Sequence, residues 1–267
     1  MASWCVMDDV SSAVQRLGRL AGSPRIARHA TAFADAGHEL ALVGGPVRDA
    51  FLGRPVNDLD LTTDADPDRI LAIVTPLAEA TWDVGRQFGT IAAKVDGEVV
   101  EITTYRSDAY DGETRKPVVE FGDSREGDLV RRDFTVNAMA LRLPQQVLVD
   151  PSGGVEHLLA GRLETPGSAV DSFRDDPLRM MRAARFTAQL GFTVSDEVRA
   201  AMVERAATLD IVSVERVTDE LSKLLRTDSP TDGVRLLVDT GLADRVLPEL
   251  PALRLEVDEH HHHKDVY

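Results

Sequence analysis

The chain has 267 residues, 43% of them hydrophobic, and a formal net charge of −15. That is apolar material for one large domain or two to three smaller ones, so a disordered protein is excluded, as is a surface coated with nucleic-acid-binding charge. No apolar run approaches the ~20 residues a membrane span needs, the start MASWCVMDDV is too polar for a signal peptide, and a single Cys5 excludes an intramolecular disulfide, so a cytoplasmic protein with no membrane partner is expected.

Residues 10–37 alternate at helical spacing, interrupted by Gly22-Ser23-Pro24, and predict two helices that end at Gly37 and pack on a sheet. Leu40 to Thr63 follows as a strand, a Gly44-Gly45 turn, an amphipathic helix stopped by Gly53 and a second strand, DLDLTT. Asp66-Pro67 opens a helix expected to run through Ala80, with proline in its first turn. Thr90 to Lys94 and Val99 to Thr103 read as a hairpin turned at Asp96-Gly97. Residues 105–129 mix charge and glycine and read as a mobile loop around a Val118 to Phe121 strand. Residues 131–143 are helix-like in their first part, and Gln145 to Val149 reads as a strand closing at the turn cluster 150–154. From 155 to 250 the periodicity is helical throughout, so the fold class is α+β: a mixed head over 1–150 and then an all-α region.

The first constellation is Asp58 and Asp60. Residues i and i+2 of a strand share a face, and two adjacent carboxylates stay charged at low cost only with a cation between them. Glu101, on the face of Val99 and Thr103, would complete a trio for two metals about 3.5–4 Å apart if its strand neighbours theirs. The competing reading is a strand end at a solvent edge. Gly44 and Gly45, between strand and helix, are suited to an anion such as phosphate. Arg48 serves either that anion or an ion pair with Asp49.

A second cluster, Arg131-Arg132-Asp133-Phe134-Thr135-Val136-Asn137-Ala138, is expected to start a helix. Two arginines sit badly with the dipole there, and an external anion would resolve the conflict; Asp133 and Asn137 fall one turn apart, placing Asp133 to accept from a ribose hydroxyl. In the third, Asp176 caps a helix with Pro177 at its first position. Leu178, Met181, Ala184 and Ala188 form the buried stripe, and Arg179 and Arg182 lie on an exposed side. An Asp176/Arg179 acceptor-plus-donor edge would suit cytosine and adenine and reject guanine and uracil; the alternative is an ordinary capped basic helix. Arg174, Arg179, Arg182 and Arg185, with Arg131-Arg132, form a basic track on an acidic body. Arg216 and Glu220 fit an i, i+4 helix pair. The run His260 to His263 within DEHHHHKDVY is either native sequence broken off inside an element or a tag with a scar.

Taken in order, GGPVRD (44–49), DLD (58–60), RRDFTVNA (131–138), DPSGG (150–154), DDPLR (175–179) and ERVTDE (215–220) resemble the motif series of class II tRNA nucleotidyltransferases, the CCA-adding enzymes and their bacterial poly(A) polymerase relatives. The resemblance implies a polymerase-β-type nucleotidyltransferase palm over 1–150, a base-binding helical neck over 151–225, and the start of a helical body or HD-type domain, of the kind in actinobacterial relatives, over 226–267, truncated at Tyr267. It further implies Mg²⁺ held by Asp58 and Asp60, a triphosphate lined by Gly44, Gly45 and Arg48, ribose contact at Asp133, and Asp176 and Arg179 as the protein template for CTP and ATP. Arg131, Asn137, Arg182 and Arg185 count among the nucleotide-binding residues, and Arg216 and Glu220 brace the neck. Asp175 stands where the family has Glu. The implied activity is two-metal addition of CMP and AMP to the tRNA 3′ end; poly(A) synthesis, CC-only or A-only addition, and a non-catalytic nucleotide or RNA binder are the alternatives.

Overall fold

Period-two alternation yields nine strands in the first part of the chain, among the described residues: β1 (Leu40–Val43), β2 (Leu59–Thr63), β3 (Ala80–Trp82), β4 (Thr90–Val95), β5 (Glu98–Thr104), β6 (Arg106–Ala109), β7 (Val118–Phe121), β8 (Ala140–Leu143) and β9 (Val147–Val149). They belong to a computed structural model that describes residues 10–56, 58–109, 118–121 and 124–252, with backbone alone at 106–109 and 118–121. β6 and β7 form their own antiparallel hairpin. The other seven join one mixed sheet of order β3-β4-β5-β2-β1-β8-β9, antiparallel except where β2 runs parallel to β5.

Register sorts the side chains into two faces. Leu148, Leu141, Leu42, Leu61, Ile102 and Ile91 are successive partners across the strands, giving one apolar row on one face. Helices α1 (Val10–Ala21), α2 (Pro24–Asp35), α3 (Gly45–Leu52) and α4 (Pro67–Val74) accompany the sheet. α2 and α3 contact β1, α4 contacts β4 and β5, and α1 packs mainly on α3. Ile26, Ala30 and Phe33 of α2 and Ile70 and Val74 of α4 are the buried sides. On the opposite face Ala41, Val43 and Ala140 are covered by Leu129 of α5 (Arg125–Val130). Over β2, β5 and β4 that face is open: Asp60, Glu101, Thr90 and Ala92 are half-buried or exposed, while their strand neighbours are buried.

The division into two compact units falls after Glu156. The second begins within α6 (Gly154–Leu159) and continues through β10 (Arg162–Leu163), α7 (Ala169–Asp175), α8 (Leu178–Leu190), β11 (Thr193–Val194), α9 (Asp196–Arg205), α10 (Val214–Leu225), α11 (Thr231–Asp239), α12 (Ala243–Val246) and α13 (Glu249–Ala252). α8 is its axis, with α10 and α11 packed against it. Eight of its side chains are buried, Leu178, Met180, Met181, Ala183, Ala184, Phe186, Thr187 and Leu190, a wider belt than the predicted stripe; Ala188 is only half-buried.

Several sequence expectations are corrected. The helix from Pro67 stops at Val74, with Thr75 as its C-cap, because Pro76 has no N–H to continue the ladder, and Ala80–Trp82 is a strand instead. The segment 105–129 contains β6 and α5 as well as β7. Residues 131–143 begin with turns and a single 3-10 turn at Thr135–Asn137 and end as β8. The helical second unit holds a two-strand parallel ladder, β10 with β11. Asp96 and Gly97 take φ 52° and 81°, the left-handed pair that a tight hairpin requires. The readings of Cys5 and of DEHHHHKDVY lie outside the described residues, as do parts of the 105–129 segment.

Gly233 of α11 sets how closely α11 approaches α8: a Cβ there would stand 2.4 Å from the Ala184 carbonyl oxygen and 3.0 Å from Ala188 Cβ. Gly233→Ala is expected to destabilise the protein by about 1–3 kcal/mol, as overpacking does, measured by denaturant unfolding; an unchanged midpoint would show that the two helices separate freely.

Candidate active site

Gly44 joins β1 to α3 at φ 74°, ψ −131°, a conformation that costs glycine little and other residues much. A Cβ at this position would also lie 3.2 Å from Arg132 Nη1 and 3.9 Å from Asp60 Oδ2. The glycine turn, the second aspartate and an arginine are therefore immediate neighbours. The Gly44 N–H donates to the Met139 carbonyl (3.2 Å). The first-turn amides of Gly45 and Val47 are the ones a helix leaves without intrahelical partners.

β2 begins at Leu59, so Asp58 precedes the strand rather than lying in it, and is exposed. Asp60 pairs directly across the parallel ladder with Glu101, which meets the condition on which Glu101 was read as a third carboxylate. Burial and the Glu101 carboxylate together hold the Asp60 carboxyl above its ordinary pKa, with Asp58 adding to the effect and the Arg132 and Arg48 guanidiniums opposing it. Among the described residues no three His, Cys, Asp or Glu side chains close into a metal-holding cluster. Asp60 and Glu101 are neighbours by register and Asp58 lies just before the strand, without a common centre for the three.

Beside them lies a hydrogen-bonded chain. Arg48, 5% exposed, donates from Nε and Nη2 to the two carboxylate oxygens of Asp49 (2.9 and 3.0 Å) and from Nη1 to Asn137 Oδ1 (2.6 Å). Asn137 Nδ2 donates to Asp133 Oδ1 (3.0 Å), which also accepts from the Phe134 N–H (2.8 Å). Of the two readings of Arg48, the ion pair with Asp49 is present, with the guanidinium buried rather than at the surface. Asp133 and Asn137 do meet, across the 3-10 turn rather than along an α-helix.

Arg131 is placed differently from expectation. It is the C-cap of α5, not the start of a helix. A cation at a helix C-terminus is favoured by the dipole, so the conflict that called for an external anion does not exist. Arg132 is the arginine next to Gly44 and Asp60, held by Asp128 (3.1 Å); the sequence shows the Arg131-Arg132 pair but carries no local signal that places Arg132 beside the glycine turn.

In the second unit Pro177 is the N-cap of α8 and Asp176 closes α7 one residue before it, yet the Asp176 Oδ1 still accepts from the Leu178 N–H (3.1 Å) as a capping side chain does. Its Oδ2 accepts from Arg216 Nη2 (3.0 Å), and Arg179 Nη1 donates to Ser172 Oγ (2.8 Å). Arg216 and Glu220 are not the expected i, i+4 pair. Glu220, 4% exposed, accepts from Arg185 Nε (2.6 Å) and stands 3.7 Å from Arg182 Nη1. Arg185 and Arg182 also lie over the Phe186 ring, at 4.1 and 5.5 Å from its centroid. Along α8, Arg182 and Arg185 are therefore matched by Glu220 and Arg179 by Ser172 within the unit.

Two outcomes follow from this geometry. Because folding raises the Asp60 pKa, this group contributes stability that is present below its unfolded pKa of about 3.9 and lost as pH rises through the folded value. Asp60→Asn should therefore melt higher than the parent at pH 7 without added metal, with the gap narrowing toward pH 4; a gap constant with pH would contradict the assignment. Glu220→Ala leaves Arg185 without its carboxylate in a largely buried setting and should cost about 3–5 kcal/mol in denaturant unfolding.

Residues 40–164 match the family described as poly A polymerase head domain, and residues 191–253 that described as probable RNA and SrmB-binding site of polymerase A. The CCA-adding enzyme of Geobacillus thermodenitrificans is 42% identical over 208 residues, 78% of this chain and 50% of that protein. The crystal structure of the Bacillus stearothermophilus CCA-adding enzyme in complex with CTP superposes with a TM-score of 0.72 at 36% identity, over 87% of this chain and 52% of that one. The Thermotoga maritima CCA-adding enzyme complexed with tRNA gives 0.70 at 26% identity, over 89% and 56%. The chain spans about half the length of the curated relatives it matches. With the glycine turn, paired carboxylates and ordered motifs in place, it belongs to the family of the CCA-adding enzymes and poly(A) polymerases, on the polymerase-β-type nucleotidyltransferase fold.

Proposed function

We propose that this protein transfers CMP and AMP from CTP and ATP to the 3′ end of tRNA, and the observation that carries this reading is the direct pairing of Asp60 with Glu101 beside the Gly44 turn. The acceptor's terminal 3′ oxygen forms a bond to the α-phosphorus of the nucleotide, the bond from that phosphorus to the pyrophosphate oxygen breaks, and the hydroxyl proton passes to the exposed Glu101 carboxylate and on to solvent. Gly44, Gly45 and Arg132 border the triphosphate; Arg48 and Asn137 hold the turn in shape, and Asp133 reaches the ribose with its carboxylate. Asp58 and Asp60 are oxygen donors bearing more negative charge than their surroundings compensate, a set that fits a hard divalent cation. Mg²⁺ bound there would supply charge neutralisation and lower the pKa of the attacking hydroxyl.

Asp176 and Arg179 read the base. A carboxylate oxygen has more than one lone pair, so the bonds from the Leu178 N–H and Arg216 leave Asp176 able to accept from an exocyclic amino group. Arg182 and Arg185, anchored on Glu220, keep that helix face positive, and Arg131 adds charge at the end of α5. The 1–150, 151–225 and 226–267 segments serve as head, neck and the start of a body. The names of the relatives, CCA-adding enzymes with CTP or with tRNA, support the substrate assignment.

The test uses Mg²⁺, CTP and ATP with tRNA transcripts ending at the discriminator base and with unrelated RNA. Three added nucleotides on the tRNA alone are expected, and Asp60→Ala should lower incorporation by at least a thousandfold while the fold, followed by circular dichroism, is retained. Long A tails on both RNAs would instead identify a poly(A) polymerase, for which the matched head-domain family speaks. Binding without turnover would identify a non-catalytic relative.

A further inference from the structure

The open face of the sheet continues beyond Glu101. Direct register carries the row from Asp60 through Glu101 to Ala92 on β4 and Trp82 on β3, and residues opposite one another across a ladder share a face. Burial agrees: Ile91, Ala93 and Val95 are buried, whereas Thr90, Ala92 and Lys94 between them are not. At the β3 end of the row is a cavity of about 480 Å³ lined by Trp82, Val84, Phe88, Thr90, Ala92 and Glu101. Trp82 is 43% exposed and Phe88 52%. Two open aromatic rings beside a carboxylate of the candidate active site are a binding surface rather than core.

Sheet order indicates which ligand belongs there. The Gly44 turn follows β1, and the cavity lies on β3 and β4, so the two stand on opposite sides of the β2–β5 pair that bears Asp60 and Glu101. In-line displacement at phosphorus sets the attacking oxygen and the leaving group on opposite sides of the reacting atom. With pyrophosphate leaving on the Gly44 side, the RNA that supplies the hydroxyl arrives over β4 and β3. Strands are ~4.8 Å apart, so Trp82 lies ~14 Å across the sheet from Asp60, a length spanned by a few stacked nucleotides. A floor of aromatic rings next to Glu101 would repel phosphate but accept the neutral π-face of a base.

We propose that Trp82 and Phe88 form a stacking platform for the nucleobases at the 3′ end of the acceptor RNA, on the flank of the carboxylates opposite the triphosphate; this rests on the nucleotidyl-transfer reading above. The platform accepts any base, since stacking reads no hydrogen-bonding edge, and so serves an end whose identity changes with each addition.

The experiment compares Trp82→Leu and Phe88→Leu, which keep apolar volume, with Trp82→Tyr and Phe88→Tyr, which keep a ring. The leucine variants should raise KM for a tRNA transcript ending at the discriminator base about tenfold or more, with KM for CTP within about twofold, and the tyrosine variants should recover most of the loss. A rise in KM for CTP instead would place the incoming nucleotide in the cavity and overturn the proposal, as would an unchanged acceptor KM in both leucine variants. A readout independent of turnover uses Trp4→Phe protein, in which Trp82 is the remaining tryptophan: the same transcript should quench its fluorescence and CTP alone should not. Quenching without turnover would count against the transfer reading and leave the platform standing; turnover without quenching would do the reverse.

Discussion

One apolar row, from Leu148 through Leu42 and Leu61 to Ile91, crosses the sheet on a single face, and the helices cover it. Since side chains alternate along each strand, burying Leu61 and Ile102 commits their neighbours Asp60 and Glu101 to the other face, opposite one another. A slip of one residue between β2 and β5 would put a carboxylate into the core and a leucine into the open, an exchange the hydrophobic effect forbids. The pairing of like charges is thus held by packing on the far side of the sheet rather than by any attraction between the groups themselves. Burial first and the Glu101 carboxylate second raise the Asp60 pKa in that arrangement, and the neighbouring Arg132 offsets only part of the rise.

The buried chain from Asp49 through Arg48 and Asn137 to Asp133 has a complementary role. It ties the first turn of α3 to the 3-10 turn after α5, two segments far apart in sequence, through groups whose donors and acceptors satisfy one another. Removing any one member would strand the others in a poorly hydrated place, so the chain acts as a unit. The second unit uses the same device: Glu220 gathers Arg185 and Arg182, and Asp176 gathers the α8 amide and Arg216.

Much of this was legible in the sequence where local signals agree. Strand, Gly-Gly, helix and Asp-x-Asp follow one another at spacings that leave little choice, and Asp96-Gly97 fixes the hairpin that carries Glu101. The misplaced features share a cause. Ala80–Trp82 is too short to show a period of its own, and its only marker was Pro76 ending the helix before it; with that strand unseen, Trp82 could not be aligned with Glu101. The α5 segment, six residues with three charges, shows no apolar stripe and reads as loop, which puts Arg131 at the wrong end of a helix. Ion-pair partners such as Arg216 with Asp176, 40 residues apart, depend on tertiary contact and leave no local trace.

The conformation of Gly44 has a consequence for how this sequence can vary. Each amino acid that a single base change can substitute for glycine carries a Cβ, and here a Cβ meets a backbone conformation that disfavours it and crowds the Arg132 guanidinium at 3.2 Å. The position has no near-neutral neighbour in codon space. Residues around the turn can be exchanged without touching that backbone, whereas any exchange at Gly44 strains the turn on which Asp60 and Arg132 converge.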